Sequence, residues 1–250
     1  MFLPFLFVFT GNIHISVVYN NYPFKEGLKT SWGFSAYIKG TEKHILFDTG
    51  GDGGILLYNM KKMGISPGSV DIVFLSHIHS DHTGGLWGLI EKNKNIVVYL
   101  PGSFPADFKE RLKKKGIKFL GVSNPIQICN NVYSTGELGT YIKEQSLIIL
   151  TEKGLVIITG CAHPGIVNIV KYAKEKYKSN VFLVMGGFHL IGMEKKEILS
   201  IAMKLKKLGV RYVAPSHCSG DVSKTVFKTI FGKHYIESGV GKIISLGHLK

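Results

Sequence analysis

Short runs of apolar residues, rich in β-branched side chains, recur along the chain and predict β-strands. They occupy residues 13–20, 33–38, 44–48, 71–75, 95–100, 155–159, 181–185, 210–215 and 242–246, with further short strands expected within residues 117–155. Apolar residues at helical spacing predict helices at residues 55–63, 86–91, 105–115, 165–177, 194–208 and 221–231. Strands interspersed with helices favour the α/β class, in which helices cover the outer faces of the sheets.

The beginning of the chain differs from this pattern. Residues 1–10 are apolar and rich in Phe and Leu, but they lack the cationic start and the small-residue cleavage site of a signal peptide. They are also too few to span a bilayer. We therefore predict an apolar extension at residues 1–12, either an extra strand or a tail, followed by one domain at residues 13–250. No transmembrane segment is predicted elsewhere.

The net charge of +14 comes almost entirely from lysine, since only Arg111 and Arg211 are arginines among 31 basic residues. Arginine is the usual side chain for bidentate recognition of phosphates and bases, so its scarcity disfavours a nucleic-acid partner. The lysines within residues 109–118 and 195–207 follow helical spacing, as solvated helix faces do. A positive field would instead favour a small anionic substrate.

The cysteines indicate the redox compartment. Cys129, Cys161 and Cys218 are odd in number and widely spaced, which argues for free thiols rather than a disulfide framework. We therefore expect a reducing, cytoplasmic environment. The sequence leaves homo-oligomerisation open.

The residues with candidate chemistry follow the predicted strand at residues 71–75. Residues 76–85 read SHIHSDHTGG and offer four potential metal ligands within six positions: His77, His79, Asp81 and His82. In an extended backbone the two histidines of the His-x-His pair point the same way, and the other two ligands follow as the chain turns. Imidazole nitrogen with carboxylate oxygen suits zinc, and also iron, manganese or nickel. The segment therefore predicts a metal site rather than a His-rich turn.

Three later predicted strands also end in a histidine: His163, His189 and His217. Strands that each end in a histidine imply one shared sheet edge that faces one cleft. The Gly-Gly-Phe-His context of His189 lets the backbone approach a ligand closely, and we interpret this residue as a substrate contact, a metal ligand or a structural histidine. Cys218, next to His217, is interpreted as a packing residue.

Residues 76–85, together with the LFDTG segment at residues 46–50, resemble the motifs of the metallo-β-lactamase-fold hydrolase superfamily. The resemblance extends over almost the whole chain from residue 13 onward. It implies an α/β (α+β) fold, a four-layer αββα sandwich in which two mixed β-sheets are flanked by helices.

The same resemblance implies two divalent cations, with zinc as the first choice and iron, manganese or nickel as alternatives. The first ion would be bound by His77, His79 and His163. The second would be bound by Asp81, His82 and His217. Asp48 would support the His-rich loop by hydrogen bonding, and Asp81 and His189 are the candidate catalytic residues. Two neighbouring ions activate water at neutral pH and clamp an anionic substrate.

The sequence departs from the superfamily pattern at one ligand. Most two-metal members carry an aspartate that bridges both ions, at the end of a strand that finishes in glycine. The matching position holds Cys161. Either Cys161 fills the bridge or water alone does, so the number of ions is open.

Three further strings, TGCAHPG at residues 159–165, GGFH at 186–189 and PSHC at 215–218, are accompanied by GFS at 33–35. They resemble the branch that contains the dihydropterin ribofuranosyl-aminobenzene phosphate synthases of methanopterin biosynthesis. Those synthases couple a pterin diphosphate to an aminobenzene ribonucleotide and release diphosphate, and the strings indicate the branch rather than the substrate. The resemblance implies a metal-dependent hydrolase or transferase that acts on a phosphate- or diphosphate-bearing small molecule. The alternatives are an RNA-processing or other phosphodiester hydrolase of the same fold, and a non-catalytic metal-binding protein.

Overall fold

Two β-sheets form the centre of the protein in the computed structural model, which describes residues 13–250. The predicted apolar extension at residues 1–12 lies outside the described residues. Strands and helices are numbered in chain order. The first sheet contains β1 (His14–Asn20), β2 (Phe34–Lys39), β3 (Ile45–Phe47), β4 (Ile72–Phe74), β5 (Val97–Pro101), β6 (Lys118–Val122) and β13 (Ile243–Ser245). The second contains β7 (Ile126–Cys129), β8 (Val132–Ser134), β9 (Leu147–Thr151), β10 (Gly154–Thr159), β11 (Val181–Gly187) and β12 (Tyr212–Ser216).

Both sheets are mixed. The first has the order β13-β1-β2-β3-β4-β5-β6, in which β3 to β6 run parallel and the pairs on the other side run antiparallel. The second has the order β12-β11-β10-β9-β8-β7, in which β10, β11 and β12 run parallel. Parallel neighbours bring their carboxyl ends to one edge of the sheet, and the candidate ligands follow these ends.

Helices cover the outer face of each sheet. Beside the first sheet lie α1 (Gly53–Lys62), α2 (Ser80–Thr83), α3 (Leu86–Ile90) and α4 (Ala106–Lys114), and beside the second lie α5 (Ile166–Tyr177), α6 (Lys195–Lys207) and α7 (Asp221–Phe231). The apolar core is accordingly divided into one layer between the sheets and one under each set of helices. This arrangement confirms the predicted four-layer sandwich of two mixed sheets flanked by helices.

The strand β10 shows how the sequence produces these layers. Its residues Val156 and Ile158 pack between the two sheets, while Leu155 and Ile157 pack under the helices of the second sheet. Successive side chains of a strand point to opposite faces. A strand buried on both faces is therefore apolar at every position, as parallel strands usually are.

The structure differs from the predicted elements near the site. The strand predicted at residues 44–48 ends at Phe47, because Asp48 has a φ of 49° and leaves the extended conformation. The SHIHSDHTGG segment contains a short helix, α2, where the sequence predicted only a turn. Within residues 13–250, no helix combines the length and hydropathy that a membrane crossing requires.

Candidate metal centre

The first group of candidate ligands combines the loop after β4 with the turn after β10. His77, His79 and His163 place one nitrogen each so that these atoms all lie within 4.8 Å of one another. Their ring centroids are 4.7 to 4.9 Å apart. His77 is fully buried and the other two are half-buried, so the group is enclosed on one side and accessible to solvent on the other.

The second group lies directly beside the first. Asp81 Oδ2 is 3.1 Å from His217 Nε2 and 3.5 Å from His82 Nε2, and the two imidazole nitrogens are 3.3 Å apart. The rings of His77 and His82 have centroids 4.3 Å apart and join the two groups. The structure therefore places all six candidate ligands in two adjacent triads, which we call the first triad and the second triad.

Asp48 holds the His-rich loop in place through hydrogen bonds to residues of that loop. Its Oδ1 accepts a hydrogen bond from the Ser76 backbone N–H at 2.7 Å, and its Oδ2 accepts one from Ser76 Oγ at 2.7 Å. The same Oδ2 lies 2.7 Å from Nδ1 of His82, which leaves Nε2 of that ring facing the second triad. Burial favours the neutral form of His82, but the Asp48 carboxylate raises the pKa of the imidazole above its ordinary value. Asp48 thus orients the candidate ligand His82 through this hydrogen bond and is not itself a candidate ligand.

Glu144 holds the turn that follows β10, and sequence reasoning missed it. The carboxylate is buried, and it accepts four backbone hydrogen bonds. Oε1 accepts from the N–H groups of Gly160, Cys161 and Ala162 at 3.0, 3.1 and 2.9 Å, and Oε2 accepts from that of His163 at 2.9 Å. Burial raises the pKa of Glu144 to about 7, although these hydrogen bonds oppose the shift. No metal-ligand spacing pointed to Glu144, because its role is to bind backbone groups.

The glycine at position 160 allows the two loops to meet. A Cβ atom there would lie 2.0 Å from Ser76 Oγ and 3.1 Å from Asp48 Oδ2. Only glycine permits this approach, which brings Cys161 Sγ to 3.2 Å from His82 Nε2. Cys161 therefore lies next to the second triad, at the position where the resemblance to the superfamily predicts a bridging ligand.

The protonation states of three of the candidate ligands favour metal binding. Burial, and then the neighbouring imidazoles, lower the pKa of His77, and burial followed by the nearby His189 lowers that of His163 to about 4. For Asp81, burial would raise the pKa, but the hydrogen bond with His217 and other imidazoles lower it to about 2. These side chains are consequently neutral imidazoles and an ionised carboxylate at neutral pH, the forms that bind metal ions.

The donor set fits divalent cations. The Nε2 atom of His163 is buried and has no hydrogen-bond partner among the described residues, although an unpaired buried polar atom is costly. Nitrogen atoms also converge on one another, at 3.1 Å between His77 and His79 and at 3.3 Å between His82 and His217. Imidazole nitrogens and a carboxylate oxygen that converge in this way match the ligand chemistry of zinc and similar cations.

Residues that follow strands of the second sheet, and one loop residue of the first sheet, lie beside the triads. His189 is exposed, and its ring centroid lies 4.5 Å from that of His163. Cys218 is buried, with its Sγ 3.2 Å from that of Cys161. Trp32, about half exposed at 51%, has its ring centroid 4.7 Å from that of His217 and lies in the loop before β2.

A pocket opens beside the first triad. It has a volume of about 310 Å³, and His163 and His189 form part of its wall. Its apolar lining includes Phe188 and Ile201, and Lys171 and Lys204 add two cations, with no acidic side chain among the described residues that line it. The pocket is large enough for a small-molecule group and suits one that is apolar with negative charge.

The chain is similar in sequence to known proteins. The profile of the metallo-beta-lactamase superfamily matches residues 33–177. The chain is 33% identical to a 7,8-dihydropterin-6-methyl-4-(beta-D-ribofuranosyl)-aminobenzene-5'-phosphate synthase of Methanocaldococcus jannaschii, with 90% of this chain and 92% of the relative covered. An uncharacterised protein of the same organism is 28% identical, over 86% of this chain and 93% of that protein.

Solved structures of other proteins have a similar fold. A metal-dependent hydrolase of the beta-lactamase superfamily superposes with a TM-score of 0.78 and 28% identity, over 93% of this chain and 98% of that chain. The short form of human tRNase Z superposes with a TM-score of 0.63 and 14% identity, over 93% of this chain and 98% of that chain. At that identity the second similarity concerns the fold alone.

Proposed function

Because the chain belongs to the metallo-beta-lactamase superfamily, we propose that it is a metal-dependent hydrolase or transferase that acts on a phosphate- or diphosphate-bearing small molecule. The observation that carries this proposal is the pair of adjacent triads, whose ligand atoms lie within 4.8 Å of one another in each set. Two such ligand sets side by side are the arrangement expected of a two-cation hydrolytic centre.

The first triad would hold one cation through three neutral imidazoles, and the second would hold another through two imidazoles and the Asp81 carboxylate. Zinc is our first choice for both, with iron, manganese and nickel as alternatives. Two divalent cations bound there would lower the pKa of water to about 7 and neutralise charge on a phosphate group. Cys161 Sγ, 3.2 Å from His82 Nε2, is the candidate bridge between them.

The protein's own residues would position the substrate and the attacking water. Asp81 is partly exposed and ionised, so its carboxylate can accept a hydrogen bond from water while it is held by His217. His189 lies beside His163 of the first triad and also lines the pocket, and we assign it to contact with the substrate or with a cation. Both residues are therefore proposed catalytic residues.

The pocket supports an aromatic anion as the substrate. Its apolar wall would bind a planar ring, and the ammonium groups of Lys171 and Lys204 would attract a phosphate. The relative from Methanocaldococcus jannaschii is named as the synthase of an aminobenzene phosphate that carries a dihydropterin. A substrate of that chemical type combines a ring system with an anionic group. We propose that this protein acts on such a compound, as a transferase that displaces diphosphate or as a hydrolase.

The test joins metal content to activity. Purified protein is assayed by elemental analysis and with an aryl phosphate, a phosphodiester, a short RNA, and a dihydropterin diphosphate with and without an arylamine acceptor. We expect diphosphate release from the dihydropterin diphosphate, and dependence on the arylamine would identify a transferase. His79→Ala should lose most bound metal and all activity because it removes a ligand of the first triad. His248→Ala, at an exposed histidine far along the chain, is the matched control and should change neither.

Three outcomes would contradict the proposal. Unchanged metal content in His79→Ala would contradict the ligand assignment. Cleavage of the RNA alone would favour the RNA-processing alternative. Stoichiometric metal binding without turnover of any compound in the panel would favour a non-catalytic metal-binding protein.

A further inference from the structure

Three strand ends of the second sheet bring a further set of potential ligands together. Cys161 follows β10, His189 follows β11 and Cys218 follows β12. One ligand atom from each lies within 4.8 Å of the other two, and the two sulfur atoms are 3.2 Å apart. Cys161 also lies beside the second triad through its contact with His82, whereas His189 and Cys218 are not members of either triad.

Apolar packing does not account for these two thiols. Cys161 and Cys218 are buried, at 4% and 5% exposure, but their sulfur atoms contact polar groups. Cys161 Sγ faces His82 Nε2 at 3.2 Å, and Cys218 Sγ faces both that thiol and the Cys161 carbonyl, the latter at 3.8 Å. A buried cysteine that serves only as a small hydrophobic residue would contact carbon atoms instead.

The surrounding backbone is adapted to this arrangement. A Cβ atom at Gly187 would lie 2.3 Å from the backbone oxygen of Gly160 and 2.6 Å from Cys218 Sγ, so glycine at this strand end leaves room for both the neighbouring strand and the thiol. Ala162, His189 and His217 all have left-handed φ values, of 57°, 53° and 48°. Such conformations are unfavourable for residues other than glycine, and they concentrate at functional sites.

The chemistry of the set differs from that of the triads. Two sulfur ligands and one imidazole form a Cys₂His set, which leaves a fourth position for a solvent molecule or a substrate atom. Sulfur ligands favour soft cations such as Zn²⁺, Cd²⁺ and Cu⁺. His189 is exposed and also lines the pocket, so the open position would face the space in which an anionic group binds.

The three ligand atoms converge on one position beside the second triad. The Cys161 sulfur also lies 3.2 Å from His82 Nε2, so it can belong to both sets. We propose that Cys161, His189 and Cys218 form a third cation site, which binds a soft metal ion and shares the Cys161 sulfur with the second triad.

Cadmium binding tests this site without any measurement of activity. Metal-free protein, kept reduced with a phosphine, is titrated with Cd²⁺ while the ultraviolet charge-transfer absorption of thiolate–cadmium bonds and the bound stoichiometry are recorded. We expect three equivalents and a band from two thiolates in the wild type. Cys218→Ala should bind one equivalent fewer and lose about half of the band, since one of its two sulfur ligands is gone.

Three further variants separate this site from the rest of the protein. His189→Ala changes an exposed residue, so the variant should fold and keep the band. It should bind the third ion at least about tenfold more weakly, because even the loss of a residue that only supports a metal ligand weakens binding by that factor. Cys129→Ala should match the wild type, because Cys129 lies on β7 outside the set. His79→Ala should lose an ion of the first triad but keep the full band, so the third site is tested separately from the proposed hydrolytic centre.

Two results would overturn the inference. A band of wild-type intensity in Cys218→Ala would mean that Cys161 alone binds cadmium, as a bridge between the triads. Two equivalents in the wild type, with no change in His189→Ala, would mean that the Cys₂His set holds no separate ion.

Discussion

The role of Glu144 can be tested by its removal. Its carboxylate accepts four N–H hydrogen bonds from residues 160–163, at 2.9 to 3.1 Å. Glu144→Ala would leave four buried donors without an acceptor. These donors belong to the turn that carries Cys161 and His163, so the substitution should affect both the stability of the fold and the binding of metal.

The size of the effect follows from the hydrogen bonds. Each buried donor that loses its partner costs about 1–3 kcal/mol, so four would cost roughly 4–12 kcal/mol. Two effects reduce this loss. Burial of the carboxylate is itself unfavourable, as the raised pKa of about 7 indicates, and water can enter the space that alanine leaves. We therefore expect the free energy of unfolding to fall by about 3–5 kcal/mol, a large part of the 5–15 kcal/mol typical of a folded protein.

Urea unfolding of the metal-free protein measures the change in the free energy of unfolding. Zinc titration of the same variants, without urea, measures the change in metal affinity. Glu137→Ala is the matched control, because Glu137 accepts a single backbone hydrogen bond, from Ser103 at 2.6 Å, near the surface. It should lower the free energy of unfolding by at most about 1 kcal/mol and leave zinc affinity unchanged. The reasoning would be refuted if Glu144→Ala unfolded within about 1 kcal/mol of the wild type and bound zinc with wild-type affinity.

Two further substitutions test how the loops are held. Asp48→Asn should weaken metal binding at the second triad by about 10–100-fold, because it removes the carboxylate that orients His82; calorimetric zinc titration would show it, and wild-type affinity would argue against that role. Gly160→Ala should lower the free energy of unfolding by about 1–3 kcal/mol, since its Cβ would meet Ser76 Oγ at 2.0 Å. Gly68→Ala, where the nearest atom is 3.5 Å from the added Cβ, is its control in thermal unfolding, and equal effects of the two would contradict the packing argument.

The layers of the fold could be predicted because they depend on local patterns. Apolar runs bounded by turn residues gave strands such as β11, and helical spacing gave α5 and α6 close to their observed bounds. The resemblance to the superfamily then supplied the sandwich. The short helix α2 could not be predicted from periodicity, because four residues are too few to show a helical repeat.

Some residues of the candidate site could likewise be predicted from the sequence, and others could not. The six candidate ligands of the triads could be predicted because each is a residue type with metal-binding chemistry that follows a predicted strand, and the resemblance to the superfamily divided them into two sets. Glu144 could not, since a glutamate that accepts backbone hydrogen bonds has no characteristic spacing. The proximity of Cys218 to Cys161 depends on the parallel order β10, β11 and β12, which the sequence does not specify. The sequence alone therefore did not show which distant strands pair with one another.

A crystal of the zinc-saturated protein, with anomalous diffraction recorded at the zinc edge, tests the paired cation centre most directly. We predict one anomalous peak bounded by His77, His79 and His163 and a second bounded by Asp81, His82 and His217. Each peak should lie about 2.0–2.2 Å from its nitrogen and oxygen ligands. A third peak at the Cys₂His set would bear only on the additional site. Absence of a peak from both triads, or zinc bound only elsewhere on the protein, would contradict the account.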